Sequence, residues 1–332
     1  MMDNFLQLVK NIFDLFDGKT YQEDGKKDCC KNLCRKKTTE LHDVMLNLEN
    51  KTIKCLDKGF VTLVDVLPRL VPNEQKTADY AVVQMARVSY GEGTKTINED
   101  KGLIRYLMRH NHTTPFEGVV FKFHCKLPIF CARQIIRHRT ASVNEQSGRY
   151  SILKDEFFFP SKDGLRQQSV VNKQGGDEVI DEDVANQFLN CLSNVSDSSY
   201  SLYETFLNKK LSREQARMML PVNLYTEWYW QINLHNLLHF LALRCDEHAQ
   251  YETRVFAEAM LKLITPIIPV VIEAWNDYHD HRGAMKLTRL EIEALKTSIA
   301  NNSKFVQIDS DNKREKQEWL AKAKNLGLLI EG

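Results

Sequence analysis

"VVFKFHCKLPIFCARQIIRHR", residues 119 to 139, decides how the fold is read. Phe121, Phe123, Cys125 and Leu127 alternate with Lys122, His124 and Lys126, the two-residue period of a strand buried on one face. Pro128 ends that strand. Proline is tolerated in the first turn of a helix, where its missing N–H would have no partner anyway, and the apolar spacing of "IFCARQIIRHR" continues one. On that helix Gln134 and Arg137 lie one turn apart and can face one ligand, while Phe130, Ile135 and Ile136 are expected to point largely into the core.

The helix delivers "RHRTASVNEQSGRY", residues 137 to 150, a run dense in cationic and hydrogen-bonding groups with almost no hydrophobic residue. Arg137, Arg139 and Arg149 offer planar forks of donors, and Ser147 beside Gly148 offers a hydroxyl where backbone can approach closely. That chemistry suits a phosphate. A merely solvated loop rarely places Gln134, Arg137 and His138 at the end of an otherwise apolar helix, so the run reads as a binding surface.

Upstream, "TIKCLDKGFVTLVDVLPRL" predicts two strands turning at Asp57, Lys58 and Gly59; "NEQKTADYAVVQMARVSY" predicts a helix, and residues 100 to 110 another. Downstream, "EFFFP" reads as a strand, residues 161 to 181 as an exposed loop, and about Glu182 to Asn208 as a long helix. Ser212 with Gln215 three later has the pattern of a capping box, opening a short helix that carries Arg217 and stops before Pro221. "LYTEWYWQIN" reads as a strand, then "LHNLLHFLALR" and "HAQYETRVFAEAMLKLI" as buried helices. The expected fold class is α/β (α+β), one domain with a mixed β-sheet flanked by helices.

The 332 residues are 43% hydrophobic and 27% charged, with 45 Lys and Arg against 44 Asp and Glu, an ordinary globular composition. The near balance argues against a surface built to hold nucleic acid, although one basic pocket could still take a small anion. "LKLITPIIPVVIEAW" is short and broken by Pro266 and Pro269, so no membrane span is expected. The start "MMDNFLQLVKNIFDLFDG" lacks a basic segment and carries Asp3, Asp14 and Asp17, unlike a secretory or transit signal, so a cytoplasmic location is the default. Eight irregularly spaced cysteines read as reduced thiols, with Cys125 and Cys131 as buried hydrophobes; Cys29, Cys30 and Cys34 lack a second pair at zinc spacing, and no metal is expected.

Phe5, Val9, Ile12 and Phe16 repeat at helical spacing over residues 3 to 16, and a polar, lysine-rich linker follows. The expected division is an amino-terminal extension over 1–51, a catalytic domain over 52–300 and a carboxy-terminal tail over 301–332.

Further polar groups stand in apolar surroundings: His112, Thr113, Thr114 and Glu117 in "HTTPFEG", Arg217 before "MMLP", and Asn233, His235, His239 and Arg244 among leucines. Each alone could be a satisfied core residue. His235 with His239 is compatible with a metal face, but Asn236 stands where a HExxH zinc hydrolase needs its glutamate.

Arg137, His138, Arg139 and Ser147 resemble the RHR-x7-S motif of the flavin-dependent thymidylate synthases. The likeness extends through "SVNEQSGRYS", "HTTPFEGVVFKFHCKLPIFCARQ", "ARMMLPVNLYTEWYWQIN" and "LRCDEHAQYE" in the family's order, over roughly residues 52 to 295. It implies methylation of dUMP with 5,10-methylenetetrahydrofolate as carbon donor and FAD, reduced by NADPH, as hydride carrier, in a homotetramer whose sites lie between subunits. Carried over by position, dUMP is expected on Gln134, Arg137, Glu145, Gln146, Ser147, Gly148, Arg149, Arg217 and Arg244. FAD is expected on Thr114, Arg137, His138, Arg139, Glu145, Asn233, Leu234, His235 and His239, with His112 and Glu117 shaping the flavin and folate cleft. Arg244 and Ser147 are the expected catalytic residues, Arg244 by favouring deprotonation of uracil N3 and Ser147 by positioning substrate, since no His–Asp pair accompanies its hydroxyl. The family often carries arginine, asparagine and histidine where this chain has His235, His239 and Gly118, and "GEGTKT" is no GxGxxG fingerprint.

Two rivals stand beside this reading. One is a nucleic-acid binder using the arginine loop and the aromatic run "YTEWYW"; the other is an inactive relative that keeps the fold and binds nucleotide. The resemblance is not expected to extend over residues 1–51. Deleting residues 1–51 should leave a yellow protein with dUMP-dependent activity, checked by its visible spectrum and dTMP formation; loss of flavin would show that the extension packs on the catalytic core.

Overall fold

The computed structural model describes residues 51–69, 77–90, 97–170, 175–279, 285–302 and 304–328. The helix expected over 3–16 and the cluster Cys29, Cys30 and Cys34 lie outside them. Strands β1 (Thr52–Cys55) and β2 (Gly59–Leu67) form the expected hairpin. A Cβ at Gly59 would lie 2.7 Å from the Cys55 carbonyl oxygen and 2.8 Å from that of Lys126, so only glycine fits there. Helices α1 (Asp79–Arg87) and α2 (Ile97–Arg109) follow.

Strand β3 (Val120–Pro128) runs straight into α3 (Ile129–Ile135), as "VVFKFHCKLPIFCARQ" suggested. The alternation is realised: Phe121, Phe123, Cys125 and Leu127 are fully buried. Of the three apolar residues expected to face the core, only Ile135 is fully buried; Phe130 is half-buried and Ile136 is 45% exposed, because the helix ends at Ile135 and the chain beyond it leaves the core. Part of the polar run is itself a strand, β4 (Ser142–Glu145). The described part of 161–181 is mostly exposed but contains two short paired strands, β5 (Arg166–Gln168) and β6 (Gly176–Val179).

Helix α4 (Glu182–Asn208) has the expected bounds, its amino end capped by the Asp181 carboxylate, which accepts from the N–H of Asp183 and of Val184. Helix α5 (Arg213–Ala216) starts at Ser212, whose hydroxyl bonds the Gln215 side chain at 3.0 Å and caps no backbone N–H, so the expected capping box is not made. Strand β7 (Tyr225–Asn233) leads directly into α6 (Leu234–Arg244), followed by α7 (Tyr251–Ile264), α8 (Pro269–Tyr278), α9 (Arg289–Ala300) and α10 (Lys313–Asn325).

The main sheet has the order β1-β2-β3-β7-β4 and every pairing in it is antiparallel, a narrower arrangement than the mixed sheet read from sequence. "EFFFP" adds only one bridge, Phe157 to Leu224, because it meets the chain just before β7 begins. The β3–β7 register sets Phe123 opposite Trp230 and Cys125 opposite Trp228. Burying each such aromatic contributes about 2–3 kcal/mol, so this pairing anchors the core. A second, smaller core lies between α9 and α10 around Trp319, whose indole N–H donates to the Val306 carbonyl at 2.8 Å.

Asp79 ties α1 to α8. Its carboxylate accepts from the N–H of Val271 (2.9 Å) and of Val270 (3.2 Å), capping a helix distant in sequence. Burial nevertheless outweighs these bonds and pushes the carboxyl up to about 6. The folded protein therefore holds this proton more tightly than the unfolded chain does, and the stability it contributes falls as pH rises from about 4 to about 6. Asp79→Asn should flatten that part of the stability-versus-pH curve measured by denaturant titration; an unchanged slope would exclude Asp79 as its source.

Candidate active site

The expected site residues gather at three places in the described chain. The first is where the end of α3 meets the end of α6. Arg244 donates from Nε to His138 Nε2 at 3.2 Å and from a terminal nitrogen to the Gln134 carbonyl oxygen at 3.5 Å. The His138 ring stands edge-on to Phe240 with centroids 4.9 Å apart, and 6.2 Å from the His239 ring. Burial, then the charge of Arg244, then His239 push His138 down to about 4. His138 is therefore neutral at pH 7, carrying its proton on Nδ1 and accepting at Nε2. Burial also lowers Arg244 from its ordinary value, but a guanidinium stays charged. Arg137 and Arg139 flank this contact and are exposed.

The second place is a cleft of about 210 Å³ whose wall includes His112, Thr113, His235 and His239, with Phe116, Leu238 and Trp275 as apolar surface. Helix α6 starts beside it because Asn233 caps it, its side-chain oxygen accepting from the Asn236 N–H at 2.9 Å. The Leu234 side chain is fully buried, so only its backbone could meet a ligand. Thr114 and Glu117 lie exposed on the short 3-10 turn Thr114–Gly118. A Cβ at Gly118 would lie 2.6 Å from Met85 Cγ, so a histidine there would need Met85 to move. Apolar walls with polar groups on them fit a planar heteroaromatic ring, and the exposed Arg137 and Arg139 nearby in sequence fit a pyrophosphate. The residues present thus suit a flavin dinucleotide.

The third place is the turn after β4. Ser147 accepts the Arg149 N–H on its hydroxyl oxygen at 3.2 Å, and its carbonyl accepts from Tyr150 and Ser151, both at 3.1 Å. Its described contacts include no histidine or carboxylate, so it has no activating base. Gly148 allows a close approach: a Cβ there would sit 3.0 Å from Leu153 and 3.2 Å from the Cδ of Arg217, so those side chains would have to give slightly. Arg217, distant in sequence, thereby joins this turn. Arg149 pairs with Glu214 at 3.0 Å across exposed surface. Glu145 accepts from the Thr226 hydroxyl at 2.7 Å, and the Gln146 N–H donates to the Glu227 carbonyl at 2.8 Å.

The first two places adjoin through His239, whereas the third stands apart from the cleft within one chain. Glu145 pairs with Trp228 and the cleft adjoins Asn233, five residues further along β7, a separation of about 16 Å. Gln250 belongs to the first place, since its side-chain oxygen accepts from the Gln134 amide. Sequence reasoning assigned it nothing, although it lies in the run "LRCDEHAQYE" only six residues after Arg244. Trp275 and His279 also line the cleft and were missed, lying too far from the motifs to be signalled by them.

The family model described as thymidylate synthase complementing protein matches residues 69–270. A flavin-dependent thymidylate synthase of Dictyostelium discoideum is 52% identical over 291 residues, 88% of this chain and 92% of the relative. One of Wolbachia pipientis wMel is 52% identical over 239 residues, 72% of this chain and 81% of the relative. Among solved structures, the UMP/dUMP methylase PolB from Streptomyces cacaoi bound with 5-Br dUMP aligns with a TM-score of 0.59 at 32% identity, covering 69% of this chain and 99% of that one. Fold and likeness together place the chain among methyltransferase enzymes. It belongs to the flavin-dependent thymidylate synthase family.

The depressed His138 value carries a sign. Between about pH 4 and 6.5 the unfolded chain takes up a proton on this residue while the folded protein resists it, so stability drawn from His138 is lost as pH falls through that window. In an NMR titration the His138 ring should show no inflection from pH 5.5 to 8. A midpoint near 6.5 would mean that neither the burial of the ring nor its Arg244 contact persists in solution.

Proposed function

We propose that the chain converts dUMP to dTMP by reductive methylation, with FAD as hydride carrier, NADPH as its reductant and 5,10-methylenetetrahydrofolate as carbon donor. The observation that carries this reading is the half-buried Arg244, aimed by the neutral His138 and the Gln134 carbonyl. A guanidinium partly removed from water is weakly screened, so a uracil set against it loses its N3 proton more readily and its ring becomes electron-rich for attack on the methylene carbon. Because His138 is neutral, it does not add a second repelling charge beside Arg244.

The dUMP phosphate is assigned to the Ser147–Arg149 turn, where Arg217 and the Ser147 hydroxyl supply donors without a Cβ at 148 in the way. Bound FAD would supply the hydride that completes the new methyl group. Cys125 and Cys131 are buried and their thiols are pushed well above the ordinary range, and burial also pushes Cys55 up to about 12. None of these is a ready thiolate, which supports a route that needs no cysteine nucleophile.

Residues 52–300 are proposed as the catalytic domain, with 1–51 as extension and 301–332 as tail, and the assembly as a homotetramer with active sites between subunits. Two observations support assembly. The separation of about 16 Å between the Glu145 end of β4 and the cleft leaves one chain's binding groups apart, as a shared site would. Phe188, Val195 and Leu202, seven residues apart on α4, are 47%, 54% and 47% exposed, an apolar stripe that a lone chain leaves uncovered.

Arg244→Ala should remain folded and yellow while dTMP formation falls on the order of 10²–10³-fold, and Arg244→Lys should rescue it poorly, since an ammonium cannot replace the planar fork. Visible absorbance reports flavin, and anaerobic addition of NADPH and then dUMP with the folate reports reduction and product. Turnover by the alanine variant near the parent rate would refute the assignment.

A further inference from the structure

Helices α6 and α7 are joined by a tight corner. Asp246 closes it, its Oδ1 accepting the His248 N–H at 2.8 Å and its carbonyl accepting the Ala249 N–H at 3.0 Å, while Arg254 donates to the Glu247 carbonyl at 2.9 Å. The corner delivers Gln250 at the N-cap of α7. Short polar residues favour that position because their side chains bond back to the helix, and Gln250 makes no such bond. Its side chain reaches instead to α3, where Oε1 accepts from Gln134 Nε2.

Gln134 is thus held from both sides of the corner, its carbonyl by Arg244 and its side chain by Gln250. A glutamine amide has one acceptor oxygen and two N–H donors. With one N–H committed to Gln250, Gln134 keeps its oxygen and one N–H for a ligand, and it exchanges their places only if the Gln250 amide turns over with it. We infer that Gln250 is a positioning residue that fixes which end of the Gln134 amide faces the substrate. The inference rests on the reading of Gln134 as a dUMP contact, and it adds a residue that touches no substrate to the groups that set dUMP affinity.

The test compares three full-length variants, with the visible spectrum showing that each still holds flavin. Gln250→Glu keeps an acceptor toward Gln134, Gln250→Leu removes it, and Gln250→Lys presents a donor that turns the amide over. The KM for dUMP should stay within about threefold of the parent in the glutamate variant, rise about tenfold in the leucine variant and rise further in the lysine variant, with kcat changed less than KM throughout. A simple charge effect predicts the reverse order, because added positive charge should favour an anionic nucleotide. A lysine variant that binds dUMP as well as the glutamate variant would overturn the inference. Weakened binding in Gln134→Ala beside unaffected binding in Gln250→Leu overturns it alone, whereas unchanged binding in Gln134→Ala removes the reading of Gln134 and the inference with it.

Discussion

The nine-residue pairing of β3 with β7 governs the rest of the molecule. It sets Pro128 opposite Tyr225 at one end and Val120 opposite Asn233 at the other. Helix α3 therefore leaves the sheet at the Tyr225 end and α6 leaves it at the Asn233 end. Nine paired residues span about 26 Å, while the 7 residues of α3 and 11 of α6 rise about 10 and 16 Å. Two helices of these lengths, starting from opposite ends of one strand pair, can meet between them, and Arg244 meets His138 there. The contact at the centre of the site is a consequence of strand register and helix length, and a residue inserted into either helix would turn its last side chain away by about 100°.

That meeting sets the electrostatics. A guanidinium and an imidazole drawn into partial burial would repel if both were charged, and the structure resolves this by leaving the imidazole neutral. The cost appears at acid pH, where the unfolded chain binds a proton the folded one refuses. Phe240, one turn before Arg244, supplies the apolar wall against which the ring stands, so the core and the site share a side chain. Asp79 shows the same trade elsewhere: a buried carboxylate caps α8 and holds a helix that contributes Trp275 to the cleft, although burial favours its protonated form.

The three groups of site residues differ in how they are built. The Arg244 contact and the cleft stand on helices rooted in the sheet, where packing limits motion. The Ser147–Arg149 turn is held by its own hydroxyl and backbone bonds and by an exposed ion pair, which contribute less rigidity. A site completed by another subunit would take its rigid parts from one chain and its turn from the next.

Much was legible in the sequence because it depended on local pattern. Alternation fixed β3 and its buried residues, Pro128 marked the strand-to-helix switch, and the bounds of α4 followed from composition and periodicity. The residue types at 134–149 pointed to anion chemistry without any coordinates, whereas the expected roles of Arg217 and Arg244 came from the family resemblance. What local pattern cannot contain is distance between segments far apart in the chain. Only the tertiary structure brought Arg217 against Gly148, set Arg244 on His138, turned Gln250 from its helix to Gln134 and added Trp275 and His279 to the cleft. It also turned part of the polar run into β4, since the open edge of β7 offered backbone partners that no count of hydrophobic residues could reveal, and left Ser212 without its capping bond. Periodicity reports which face of an element is buried; the register between elements, set by core packing, decides which polar groups meet.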